Sequence, residues 1–92
     1  MYTLEKINED KRWNVENYRW TKTDKHHRLS DWDSNGPQVG NSLILNFEYS
    51  EFLGPFYIYM TPKISEIIES RKGFVHFKTE DGGEYKLAYK KL

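Results

Sequence analysis

"FVHFKTEDGGEYKLAY", residues 74–89, decides the fold. Val75, Phe77 and Thr79 alternate with His76 and Lys78. Beyond Glu80-Asp81-Gly82-Gly83 the alternation resumes, with Tyr85, Leu87 and Tyr89 set against Glu84, Lys86 and Lys90. Period-two alternation lines one set of side chains along one face of a strand. Asp81-Gly82-Gly83 supplies the positive φ that a tight hairpin turn demands. The stretch reads as an antiparallel hairpin with Val75, Phe77, Tyr85 and Leu87 turned to a core. His76 falls on the wet face.

Upstream, "TPKISEIIESRKG" (61–73) supports two readings. As a helix, Thr61 is the N-cap and Pro62 the first helical residue. Arg71 and Lys72 then fill the last turn and Gly73 ends it. Ile64, Ile67 and Ile68 have helical spacing. As a strand, the same residues form a hairpin with Phe74 onward through a Gly-ended turn. Further back, "SLILNFEY" (42–49) is a strand with Leu43, Leu45 and Phe47 on one parity, and "FYIYM" (56–60) is another. "RWNVENYRW" (12–20) alternates too, but Trp13 and Val15 hold one parity and Tyr18 and Trp20 the other. A bulge near Glu16-Asn17 is expected there. "YTLEKI" (2–7) reads as a short first strand, and residues 21–41, with Asn35-Gly36-Pro37, as a long loop.

The chain has 92 residues, the length of one domain, so 1–92 is expected to be a single unit. Aromatic residues make up 16%, and alanine occurs only at Ala88. That composition favours strands. The expected architecture is mainly β: a small antiparallel barrel or half-barrel of roughly five to seven short strands. One short helix near 62–72 would make it α+β. There is no cysteine, which excludes disulfides and thiolate metal sites. No apolar run approaches the ~20 residues of a membrane span, and the first residues lack the apolar core of a signal peptide. A cytoplasmic protein without membrane contact is expected.

Residues 60–87, "MTPKISEIIESRKGFVHFKTEDGGEYKL", resemble the C-terminal half of small uncharacterised proteins from phages and plasmids of low-GC Gram-positive bacteria. The shared pattern is a Thr-Ser/Pro-Ile/Val start, a hairpin, then a Thr-rich strand before a Tyr-x-Leu end. The resemblance implies a mobile-element protein, often an interaction or counter-defence factor, and carries over no site residues.

The net charge is zero but unevenly placed. Lys11, Arg12, Arg19, Lys22, Lys25 and Arg28 crowd 11–28 against Glu16 and Asp24. Residues 29–69 hold Asp31, Asp33, Glu48, Glu51, Glu66 and Glu69 against Lys63 alone. A neutral total argues against a nonspecific DNA coat and against an acidic DNA mimic. Catalytic signals are missing: no Gly-x-Ser-x-Gly elbow, no phosphate-binding glycine loop, and no carboxylate pair beyond Glu48 and Glu51 at a strand end. His26, His27, Asp24, Asp31 and Asp33 are of metal-ligating type. Neighbouring histidines on extended chain point to opposite faces, however, so no metal site and no cofactor is expected.

Two binding surfaces remain. "FEYSEFLGPFYIYM" (47–60) concentrates Phe47, Tyr49, Phe52, Phe56, Tyr57 and Tyr59. Consecutive Phe56-Tyr57-Ile58-Tyr59 puts large side chains on both strand faces, and only one face can enter a small core. Phe56 and Ile58 are expected inside. Tyr57 and Tyr59 are expected outside, as anchors for a protein together with Trp32, Tyr49 and Phe52. The first reading is therefore a non-enzymatic binding protein, a phage or mobile-element factor that occludes a host protein. The alternative is a single-stranded nucleic-acid binder that stacks bases on Trp13 and Trp20 among Arg12, Arg19, Lys22, Lys25 and Arg28. The oligomeric state stays open, a homodimer included.

Overall fold

The computed structural model describes residues 2–23, 29–32, 36–46, 48–50, 52 and 54–89, with backbone alone at 29–32, 48–50 and 54–56. The C-terminal hairpin forms as its alternation dictates. Strands β10 (Phe74–Thr79) and β11 (Glu84–Tyr89) pair antiparallel, with Val75 opposite Leu87 and Phe77 opposite Tyr85. All four are buried. Gly82 has φ +87°, the one positive value in the Asp81-Gly82-Gly83 turn. Asp81 Oδ1 accepts the Thr79 hydroxyl and, at 3.1 Å, the Gly83 N–H. These two bonds, the Thr79 one foremost, hold the Asp81 carboxyl below the usual carboxylate range.

The segment that read as helix or strand is strand β9 (Ile64–Arg71), paired with β10. Its apolar spacing of three is reconciled by two irregularities in the ladder. Thr79, Phe77 and Val75 of β10 are two apart, yet they face Ile64, Ile67 and Ser70, which are three apart. The extra residues, Ser65 and Ile68, are bulged, so Ile64 and Ile67 both reach the core side. Thr61 caps no helix. It is buried, donates its N–H to Leu43 O at 2.9 Å and accepts the Leu43 N–H on Oγ1 at 3.0 Å.

Strands β1 (Tyr2–Lys6) and β2 (Lys11–Val15) complete the first sheet, in the order β2-β1-β11-β10-β9. A 3₁₀ turn at Ile7–Glu9 joins them. Asn8 in that turn donates to Gly82 O and accepts from Glu84 N–H, both at 3.3 Å, which ties the turn to the C-terminal hairpin.

The second sheet, order β4-β3-β5-β8, consists of β3 (Tyr18–Thr23), β4 (Leu29–Trp32), β5 (Asn41–Leu45) and β8 (Tyr59–Met60). The stretch read as a loop thus contains β4 and the end of β3. β6 (Glu48–Ser50) and β7 (Gly54–Phe56) pair as a separate ribbon. Every pairing is antiparallel.

The protein is therefore mainly β, two antiparallel sheets and a two-stranded ribbon, with no closed barrel among the described residues. Its eleven described strands exceed the expected five to seven, because several are only two to four residues long and leave little periodicity to read. The only helical piece among the described residues is the 3₁₀ turn.

The expected bulge at Glu16-Asn17 is instead a corner between the two sheets. Asn46, in the left-handed region at φ 53°, organises it. Its Oδ1 accepts the Glu16 N–H at 2.8 Å, its Nδ2 donates to Asn14 O at 3.2 Å, and its N–H donates to Asn17 O at 2.8 Å. The corner resets parity, so Val15 on one sheet and Trp20 on the other join the same core with Leu4, Leu43, Leu45 and Phe77. Aromatic contacts knit the sheets together. Trp20 meets Phe77 edge-to-face at 5.8 Å, and Phe77 stacks on Tyr85 at 5.3 Å.

Candidate protein-binding surface

The ribbon pairs Glu48 with Phe56, Tyr49 with Pro55 and Ser50 with Gly54. Pro55 lacks an N–H, which suits a strand of so short a ladder. Past Phe56 the chain leaves strand geometry at Tyr57 and Ile58 and resumes it at Tyr59. The bend is held by the Ile58 N–H to Leu45 O, at 3.0 Å. This break overturns strict alternation across 56–59. Ile58, expected inside, is 70% exposed.

Tyr57 is 43% exposed, as an anchor would be. Tyr59 belongs to the fold rather than the surface. It is half-buried, its ring lies 4.7 Å from Trp13 in a stacked pair, and its hydroxyl is 2.7 Å from that of Tyr85. Burial foremost, then the Tyr59 bond, pushes the Tyr85 phenol well above its ordinary value.

Phe52, between the ribbon strands, is 95% exposed. The ribbon thus carries Phe52 at its tip and Tyr57 and Ile58 at its base, separated by three residue pairs, or about 10 Å. Of the described large apolar residues that are exposed, the others, Val39, Ile68 and Tyr89, are scattered through the sequence. Ile58 was missed at the sequence level because its parity matched an uninterrupted strand. The Gly54-Pro55 breaker just upstream was the available warning. The side chains of Trp32, Tyr49 and Phe56, the last expected inside, and all of Phe47 lie outside the described residues.

The basic-aromatic segment is arranged differently. Trp20 is 8% exposed and sits in the core, and Trp13 is half-buried beneath Tyr59. One face of Trp13 is covered by the Tyr59 stack, and little of Trp20 is open to solvent. Arg12, Arg19 and Lys22 are exposed, but Arg12 lies on the first sheet and the other two on the second. Arg12 Nε is 3.9 Å from Glu5 Oε2. Lys25 and Arg28 fall outside the described residues.

The same holds for Asp24, His26, His27 and Asp33 and for the side chain of Asp31. No three metal-ligating side chains converge among the described residues. His76 lies on the first sheet opposite Lys86 and Glu69 and is more covered than a wet face implies, its side chain 17% exposed. Its Nε2 is 3.2 Å from Glu84 Oε2 but is not aligned for a hydrogen bond. Among the described residues no helix is long and apolar enough to cross a membrane. Comparison of the chain with protein-family models, with curated proteins and with solved structures returned no match.

Proposed function

We propose that this chain is a non-enzymatic binding protein that covers part of a partner protein with the apolar residues of its 48–58 ribbon. One observation carries the reading: Phe52, Tyr57 and Ile58 are exposed within seven consecutive positions of one small element. Aromatic and aliphatic side chains gain about 1.5–3 kcal/mol each when taken out of water. Interface cores are built from such residues, and soluble monomers keep contiguous exposed apolar surface small. Glu48 and Glu51 accompany them in 47–60, which contains no cation. The partner as a host protein, and the chain as a mobile-element factor, follow from the resemblance of residues 60–87 and belong to the same proposal.

The test is capture from a Gram-positive lysate by the immobilised chain, compared with Phe52→Ser/Ile58→Ser. A protein retained by the first and lost by the second, with both chains melting alike, supports the reading. Capture that survives both substitutions overturns it. So does retention of nucleic acid with an affinity that collapses between about 50 and 200 mM salt.

A further inference from the structure

A second, independent surface is lined by residues of both sheets. A groove of about 450 Å³ runs between β1, β3 and the β9–β10 turn, within the range of small-molecule sites. Tyr2, Tyr18, Trp20 and Phe74 line it with rings, and Arg71 and Lys72 line it with positive charge. No carboxylate lines it among the described residues, although the chain carries as many acids as bases.

The cations are placed, not loose. Gly73, at φ +79°, makes the turn that presents them, and its carbonyl accepts the Tyr89 N–H at 2.8 Å. The Arg71 guanidinium lies over the Phe74 ring at 4.8 Å and is held through Nε by Glu69 Oε1 at 3.0 Å. That grip occupies one edge of the guanidinium, and the fork of terminal N–H groups is the part that recognises phosphate. Lys72 makes no ion pair among the described residues. Tyr2 and Tyr18 meet edge-to-face at 4.9 Å, and Tyr18 meets Trp20 at 6.1 Å in the same manner. The wall is thus a set of rings packed edge to face, two of them phenols.

We infer that this groove binds a planar ring bearing an anionic group, in the class of a nucleoside monophosphate. A cation would meet Arg71 and Lys72. An uncharged apolar ring would leave Lys72 and the free fork of Arg71 unused, and a bare anion would leave the rings unused. Arg71 and Lys72 take the phosphate, and the base lies against the half-buried rings of Tyr2 and Tyr18. The same chemistry has two sources, a free nucleotide or the phosphorylated end of a strand.

The experiment is an amide and indole NMR titration of the full chain with AMP, followed at Trp20 Nε1–H and Gly73 N–H. Saturable shifts at both are expected. Adenosine and inorganic phosphate should each bind about tenfold more weakly or worse, since each lacks one half of the recognition. Arg71→Ser/Lys72→Ser should weaken AMP by about tenfold or more while leaving spectra elsewhere unchanged. A 5′-phosphorylated oligoadenylate binding more tightly than AMP identifies the strand end as the source, and weaker binding identifies the free nucleotide. Absence of saturable shifts, adenosine binding as well as AMP, or an unchanged AMP affinity in the double variant overturns the inference.

Discussion

Two parts of this chain are rich in rings and meet opposite fates. In 11–23, Trp13 and Trp20 turn inward, and one becomes the hub between sheets. In 52–58, Phe52, Tyr57 and Ile58 stay in water. Ring content does not separate them. The first segment runs as two strands joined by a corner that Asn46 clamps, so each parity change is matched by a change of sheet. The second breaks at Tyr57-Ile58 just before Tyr59 joins the second sheet, and the backbone of Ile58 is tied to Leu45 while its side chain stays exposed. Both breaks lead into the second sheet; burial follows for the rings that lie within paired strands facing the core, and exposure for the residues of the break itself and of the ribbon tip.

The contrast is broken most forcefully by Trp20→Ala. Loss of a buried indole packed on Phe77 should cost about 3–5 kcal/mol in chemical denaturation. Next comes the corner. Asn46→Ala removes two side-chain bonds, at about 0.5–1.5 kcal/mol each, and places a Cβ-bearing residue without local bonding in the left-handed region. A loss of about 2–3 kcal/mol is expected. Asn46→Gly should recover the backbone part while still lacking the side-chain bonds.

Tyr59 marks the frontier between the two regions. Tyr59→Phe preserves the stack on Trp13 and deletes the bond to Tyr85, so about 1 kcal/mol should be lost. Alkaline titration sharpens the inner side further. Burial foremost, then the bond to Tyr2, pushes the Tyr18 phenol up to about 12. A phenol raised in the folded state contributes stability that is complete below its unfolded value near 10 and is lost as pH climbs toward 12. Ultraviolet difference spectra should show this late ionisation, and Tyr18→Phe should flatten the alkaline decline. The smallest effect belongs to the exposed ribbon. Phe52→Ser and Ile58→Ser should each move stability by no more than about 0.5 kcal/mol.

The legible parts of the sequence were those where period and punctuation agreed. Residues 74–89 alternate on both sides of a glycine turn, and the structure has that hairpin with the expected buried face. Residues 61–73 were ambiguous for a physical reason. A strand with two bulges repeats its inward positions every three residues, which overlaps the i, i+3 spacing of a helix. Thr61-Pro62 imitates a helix start while serving β5 instead. The bulge expected at Glu16-Asn17 was a sheet-to-sheet corner because its clamp, Asn46, is some 30 residues away in sequence, beyond the reach of any local pattern. At the surface, Tyr57 was readable from parity. Tyr59 was not, because its stacking on Trp13 and its bond to Tyr85 are long-range contacts. The aromatic groove was also hidden, since it gathers residues from β1, β3 and the β9–β10 turn.

The central claim, that the rings of 11–23 build the fold while those of 52–58 serve a partner, is tested most directly by hydroxyl-radical footprinting of the chain alone and with its captured partner. The account predicts that Phe52, Tyr57 and Ile58 are oxidised readily in the free chain and become protected in the complex, with Trp20 protected in both. Ready oxidation of Trp20 in the free chain, or undiminished oxidation of Phe52 and Ile58 in the complex, would contradict it.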